Sequence, residues 1–164
     1  MKKYLLFIIS TVVITGCSES VDESEVKEIN NITYLIDSDE PYSGQVISYY
    51  SSGNKEEEVT YKDGKEHGLE IGWFENGQKR LEGHNKNGEG DGDWIYWHSN
   101  GQKSMETTYI KGSGNGLEIR WYENGEKEWE INWKNGTRDG LAQFWDRDGN
   151  LTAQRLYSNG MEIR

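Results

Sequence analysis

The sequence predicts an all-β fold, an elongated single-sheet antiparallel meander of about five 24-residue β-hairpin repeats. Three observations carry that prediction. Glycine returns every 24 residues in three columns: Gly53, Gly77, Gly101, Gly125 and Gly149; Gly64, Gly88, Gly112, Gly136 and Gly160; and Gly44, Gly68, Gly92, Gly116 and Gly140. An aromatic column, Tyr49, Trp73, Trp97, Trp121 and Trp145, keeps the same interval without insertion. Between the glycines lie two runs per unit rich in aromatic and β-branched residues, bounded by turn signals such as Asn76-Gly77 and Asn87-Gly88. No stretch reads as a long amphipathic helix.

Taken in order, residues 1–17 read as a lipoprotein signal peptide. Lys2 and Lys3 precede a mainly apolar run from Tyr4 to Ile14, which is short of the roughly 20 residues that span a bilayer. Ile14-Thr15-Gly16-Cys17 then resembles the bacterial lipobox, whose cysteine is lipidated and becomes the first mature residue. Cys17 is the only cysteine, so no disulfide forms within one chain. Cleavage there leaves 16 basic residues against 29 acidic ones, a net charge of -13. The expected membrane contact is therefore the acyl chains on Cys17 and not a basic patch.

Residues 18–31 are polar and acidic and read as a flexible tether, with a reach of about 20 Å. The repeat domain is expected over 32–164, with repeats near 42–160. Ile32 to Ile36 is its first strand, Asp37 to Pro41 a turn, and Pro41 fits a sheet edge.

Within the repeats, parity of the apolar positions points to three-residue loops, a type I turn followed by glycine at positive φ, at both turns of each unit. That register pairs Trp73 with Lys79, Ile71 with Leu81 and Trp129 with Leu141. It gathers Tyr49, Ile71, Trp73, Ile95, Trp97, Ile119, Trp121, Trp129, Ile131, Trp133 and Trp145 on one face, with Glu58, Glu82, Glu106 and Glu130 on the other. The last unit is degenerate: Leu151 replaces the lysine of Lys55, Lys79, Lys103 and Lys127.

Asn76, Gly77, Lys79, Glu82, Gly88 and Gly92, with Tyr61-Lys62, His67-Gly68 and Trp133-Lys134 from neighbouring units, resemble the bacterial variant of the MORN repeat. The resemblance covers about residues 42–160 and departs at Asn85, where sister units have Tyr61, Tyr109, Trp133 and Tyr157. It implies an open β-hairpin array used in protein or membrane association. Many bacterial members are labelled antitoxin-like.

Chemistry is sparse. His67, His84 and His98 lack the short spacing of a zinc site, and no nucleophile triad or phosphate loop stands out. Asn87, Glu89, Asp91 and Asp93, with Asn85 before them, place oxygens at alternate positions like a calcium loop. The run keeps the repeat register and lacks the later bidentate glutamate, so it reads as an acidic turn of the array and no cofactor is expected. Glutamates of the column, about 10 Å apart, are too distant to work as a carboxylate pair.

With 33% hydrophobic residues, a charge of -11 and a mean hydropathy of -0.94, the chain is poor in aliphatic core and repels nucleic acid and anionic lipid. A non-catalytic, lipid-anchored binding or scaffold protein of the bacterial envelope is the leading expectation, at the cell or outer membrane and outside the cytoplasm. Tyr49, Trp73, Trp97, Trp121 and Trp145 are its expected contacts with a protein partner of basic surface. Neutralisation of a toxic partner is the alternative, and cell-wall glycan binding a further one.

Overall fold

The computed structural model describes residues 20–163. Strands β1 (Ser20–Asp22), β2 (Val26–Ile29) and β3 (Ile32–Leu35) come first, with a 3-10 turn at Glu23–Glu25. The array follows as β4 (Gly44–Tyr49), β5 (Lys55–Lys62), β6 (Lys65–Trp73), β7 (Lys79–Lys86), β8 (Glu89–Gly90) and β9 (Gly92–Trp97). It continues through β10 (Lys103–Ile110), β11 (Ser113–Trp121), β12 (Lys127–Lys134), β13 (Thr137–Trp145), β14 (Leu151–Ser158) and β15 (Met161–Ile163). From β4 onward neighbours in sequence are neighbours in a 13-stranded sheet, as a meander requires, except that the two-residue β8 pairs with β7 alone and β9 follows β7 in the order.

The first turn of each unit is the expected three-residue loop. Gly77 N–H donates to the Phe74 carbonyl and Phe74 N–H to the Gln78 carbonyl, both at 2.8 Å, with Gly77 at φ +84°. Trp73 accordingly faces Lys79.

The second turn differs. Asn87 and Gly88 both have positive φ, 57° and 84°, as do Asn135 and Gly136, 50° and 75°. These are two-residue type I′ loops, which match strand twist and suit Asn-Gly. This loop, together with a register shift between Ile131 and Trp133, sets Trp129 opposite Phe144 and not Leu141.

A further irregularity changes the faces. Next to each first turn the second strand carries one extra residue: Trp73 pairs with Lys79 but Gly72 with Leu81, leaving Arg80 as a bulge. Beyond it Ile71 faces Glu82, because one inserted residue reverses parity. Ile47, Glu58, Ile71, Glu82, Ile95, Glu106, Ile119 and Glu130 thus form one continuous cross-strand row. The glutamate column shares a face with the isoleucines and the tryptophan column, contrary to expectation. Trp129, Ile131 and Trp133 lie on the opposite face, where Ile131, Ala142 and Tyr157 are buried and Trp129, Trp133 and Phe144 pack against them. Val46, Val59, Leu81 and Trp94 are also buried. In the register they fall on this same face, which is the core-bearing one.

The tether expected over 18–31 is ordered from Ser20. Asn30 and Asn31, at φ 52° and 61°, close a type I′ hairpin between β2 and β3. Ile36 N–H donates to the Glu25 carbonyl and Thr33 N–H to the Gly64 carbonyl, each at 2.9 Å. Strand β1 pairs in parallel with β4, so this segment covers the array's first edge. Thr33 and Tyr42 are buried there. Composition favoured disorder, but the edge supplies backbone partners that the isolated segment lacks. Cys17 and the rest of the expected signal lie outside the described residues.

Candidate interaction surfaces

On the isoleucine–glutamate face, the bulge sets each column lysine beside the tryptophans and within reach of the glutamate three residues on. Lys55 Nζ stands 5.2 Å from the Trp73 ring centre, Lys79 Nζ 5.8 Å from Trp97 and Lys127 Nζ 5.6 Å from Trp145. Lys55 is 2.8 Å from Glu58, and Lys79–Glu82, Lys103–Glu106 and Lys127–Glu130 repeat that ion pair. The structure therefore aligns Tyr49, Trp73, Trp97, Trp121 and Trp145 along one face. The tryptophans are half-buried beside lysines, and only Tyr49 is freely exposed, at 48%. Such a stripe offers flat aromatic area bordered by paired charges.

The core-bearing face holds a second cluster, centred on β9. Trp94 stacks on Tyr96 with ring centres 6.0 Å apart and meets Tyr109 edge-on at 6.3 Å. Its Nε1 donates to the His84 carbonyl at 3.2 Å. Beside these rings Glu66 and Glu70 enter from β6, and Asn85 Nδ2 donates to Glu70 Oε2. The six side chains line an open cavity of about 270 Å³.

Burial raises the Glu66 carboxyl above its ordinary value, reinforced by the charges of Glu57 and Glu28. Burial also raises Glu70, against the opposing Asn85 hydrogen bond. The Tyr96 phenol is pushed up to about 12, first by burial and then by Tyr109 and Glu70. Arg80 is the nearby cation, and its Nη2 lies 3.1 Å from Glu57 Oε1.

The acidic run behind the calcium reading does not converge. Asn87 occupies a turn, Asp91 lies 3.8 Å from Lys86, and Asp93 accepts from Thr108 Oγ1 at 2.6 Å. Among the described residues no three His, Cys, Asp or Glu side chains are grouped to hold a metal ion. His98 instead joins a turn, its Nε2 2.9 Å from the Trp121 carbonyl.

Sequence reasoning did not single out Glu66, Glu70, Trp94, Tyr96 or Tyr109. The available signal was departure from the columns: Gly83 where sister units have Val59, Thr107, Ile131 and Arg155, Asn85 where they have aromatics, and Trp94 where they have Val46, Glu70, Glu118 and Ala142.

Residues 42–63, 90–111 and 138–159 each match the model of the MORN repeat variant family, which supports a MORN-repeat protein. The matches stand two 24-residue periods apart, so the units between them occupy equivalent register. No curated protein matches the chain.

Proposed function

We propose that this chain is a lipid-anchored, non-catalytic binding or scaffold protein of the bacterial envelope, held through Cys17 and engaging a protein partner through the tryptophan row. The observation that carries the reading is the alignment of Trp73, Trp97, Trp121 and Trp145 on one face beside the lysine column. Aromatic anchors dominate protein interfaces, and evenly spaced ones suit an extended partner. Repeat arrays commonly use such a face for binding.

The test has two arms. Cys17→Ala should move the protein from the membrane to the soluble fraction. Crosslinked wild type and a Trp97→Ala/Trp121→Ala variant are then compared in envelope extracts. A specific partner lost in the variant supports the reading, and identical capture by both, or none by either, counts against it. Neutralisation of a toxic partner is favoured by the charge of -13 after Cys17, which suits a basic protein. It predicts a growth defect on deletion that requires one neighbouring gene.

A further inference from the structure

We infer that the cavity on the core-bearing face binds a cationic side chain, lysine ammonium or arginine guanidinium, presented by an extended basic segment of a protein. The inference concerns the face opposite the tryptophan row and stands apart from the reading above.

The cavity combines the two features that recognise organic cations, aromatic walls and carboxylates. Trp94, Tyr96 and Tyr109 form the walls, while Glu66 and Glu70 supply the charge. The Glu66 carboxylate has no hydrogen-bond or ion-pair partner among the described residues, and the Glu70 carboxylate accepts only from the neutral Asn85 amide. The one guanidinium in the neighbourhood, Arg80, is engaged by Glu57. Negative charge therefore stands beside aromatic faces without a cation between them.

The site exists because the repeat is broken there. Gly83 leaves room for Trp94, whose ring atoms a Cβ at position 83 would penetrate. Asn85 stands in the column of Tyr61, Tyr109, Trp133 and Tyr157, and its smaller side chain leaves the space that a ring would fill. Departures at 83, 85 and 94 converge on one cavity.

An extended segment is favoured over a small free cation by what adjoins the cavity. Glu66 also lines a second depression of about 360 Å³, with Glu28, Tyr61 and Glu89. Glu28 and Tyr61 line a third, of about 270 Å³, with Glu23 and Glu57. Lys65 borders the second and Lys27 the third, where Lys27 Nζ donates to the Ile36 carbonyl. Carboxylates outnumber cations along the path, so a strand of several basic residues finds charge complementarity beyond the cavity.

The experiment titrates the full chain in detergent micelles with acetyl-Gly-Arg-Gly-Arg-Gly-amide, its citrulline counterpart and spermidine. Calorimetry gives affinity, and the indole N–H resonance of Trp94, assigned with Trp94→Phe, locates the site. The expected result is saturable binding of the arginine peptide with a shifted Trp94 resonance. Affinity should drop more than about tenfold for the citrulline peptide and for Glu66→Gln/Glu70→Gln. Glu123→Gln/Glu126→Gln, which removes the same charge from an exposed turn, should leave it unchanged. Equal binding of the citrulline peptide, an unmoved Trp94 resonance, equal losses in the two double variants, or tighter binding of spermidine than of the peptide would each overturn the inference.

Discussion

The Trp94 indole occupies the space in which a side chain at position 83 would stand. Glycine and tryptophan are complementary across adjacent strands here, and the corresponding pair two units on is Ile131 facing Ala142, buried to 3% and 1% exposure. The same volume is divided differently between the two partners.

Gly83→Ala should therefore destabilise the fold by about 2–3 kcal/mol through overpacking, read as a lower urea midpoint with displaced tryptophan fluorescence. Gly83→Ile with Trp94→Ala copies the Ile131–Ala142 pair and should recover most of that loss. A double variant less stable than Gly83→Ala would sink the complementarity argument.

The N-terminal hairpin caps the first unit, so deleting residues 20–31 should lower the melting temperature by several degrees. The loss follows from uncovering the β4 edge, leaving β3 unpaired and exposing the buried Thr33. A passive tether would leave the melting temperature where it was.

Asn100 serves two turns: its Oδ1 accepts from Gln102 N–H at 3.0 Å, and its Nδ2 donates to the Glu123 carbonyl at 2.8 Å. Asn76 and Asn124 reach the Ser99 and Arg147 carbonyls in the same way. Asn100→Ala should cost about 1–2 kcal/mol, and Asn100→Asp, which keeps the acceptor alone, less. Denaturant titration of the two variants separates the within-turn from the between-turn bond.

Glu66 and Glu70 have folded pKa values raised above the ordinary 4.5, chiefly by burial. Between the unfolded and folded values the native state holds more protons, so stability falls as pH rises through that window and stays lower above it. Glu66→Gln should raise the melting temperature at pH 7.5, and the gain should vanish below the ordinary carboxyl value. Glu70→Gln should gain less, because the Asn85 hydrogen bond already favours its charged form. Thermal melts across pH decide it, and a loss of stability in Glu66→Gln at neutral pH would contradict the assignment.

Period, strand count and the glycine turn at Gly77 were legible in the sequence because they rest on local chemistry: positive φ selects glycine, and alternation of side chains marks strands. The faces were not. Glu82 was expected opposite Ile71 across the sheet's thickness, yet the Arg80 bulge sets the two side by side. One extra residue leaves the 24-residue spacing untouched while reversing every later side chain, so no column reveals it. The type I′ turn at Asn87 and Gly88 was similarly hidden, since two-residue and three-residue loops share the Asn-Gly signal.

The candidate cavity shows the same division. Glycine at 83, asparagine at 85 and tryptophan at 94 are visible as departures from the columns, but they are 2 and 9 residues apart and mean nothing singly. The antiparallel register brings them together, and the hairpin of residues 26–35 is tied to the array where Thr33 N–H donates to the Gly64 carbonyl. By itself the sequence determined the repeating element, since that is local backbone preference. The tertiary structure decided which side chains share a face and where charge meets aromatic surface, because register and edge contacts are cooperative properties of neighbouring strands.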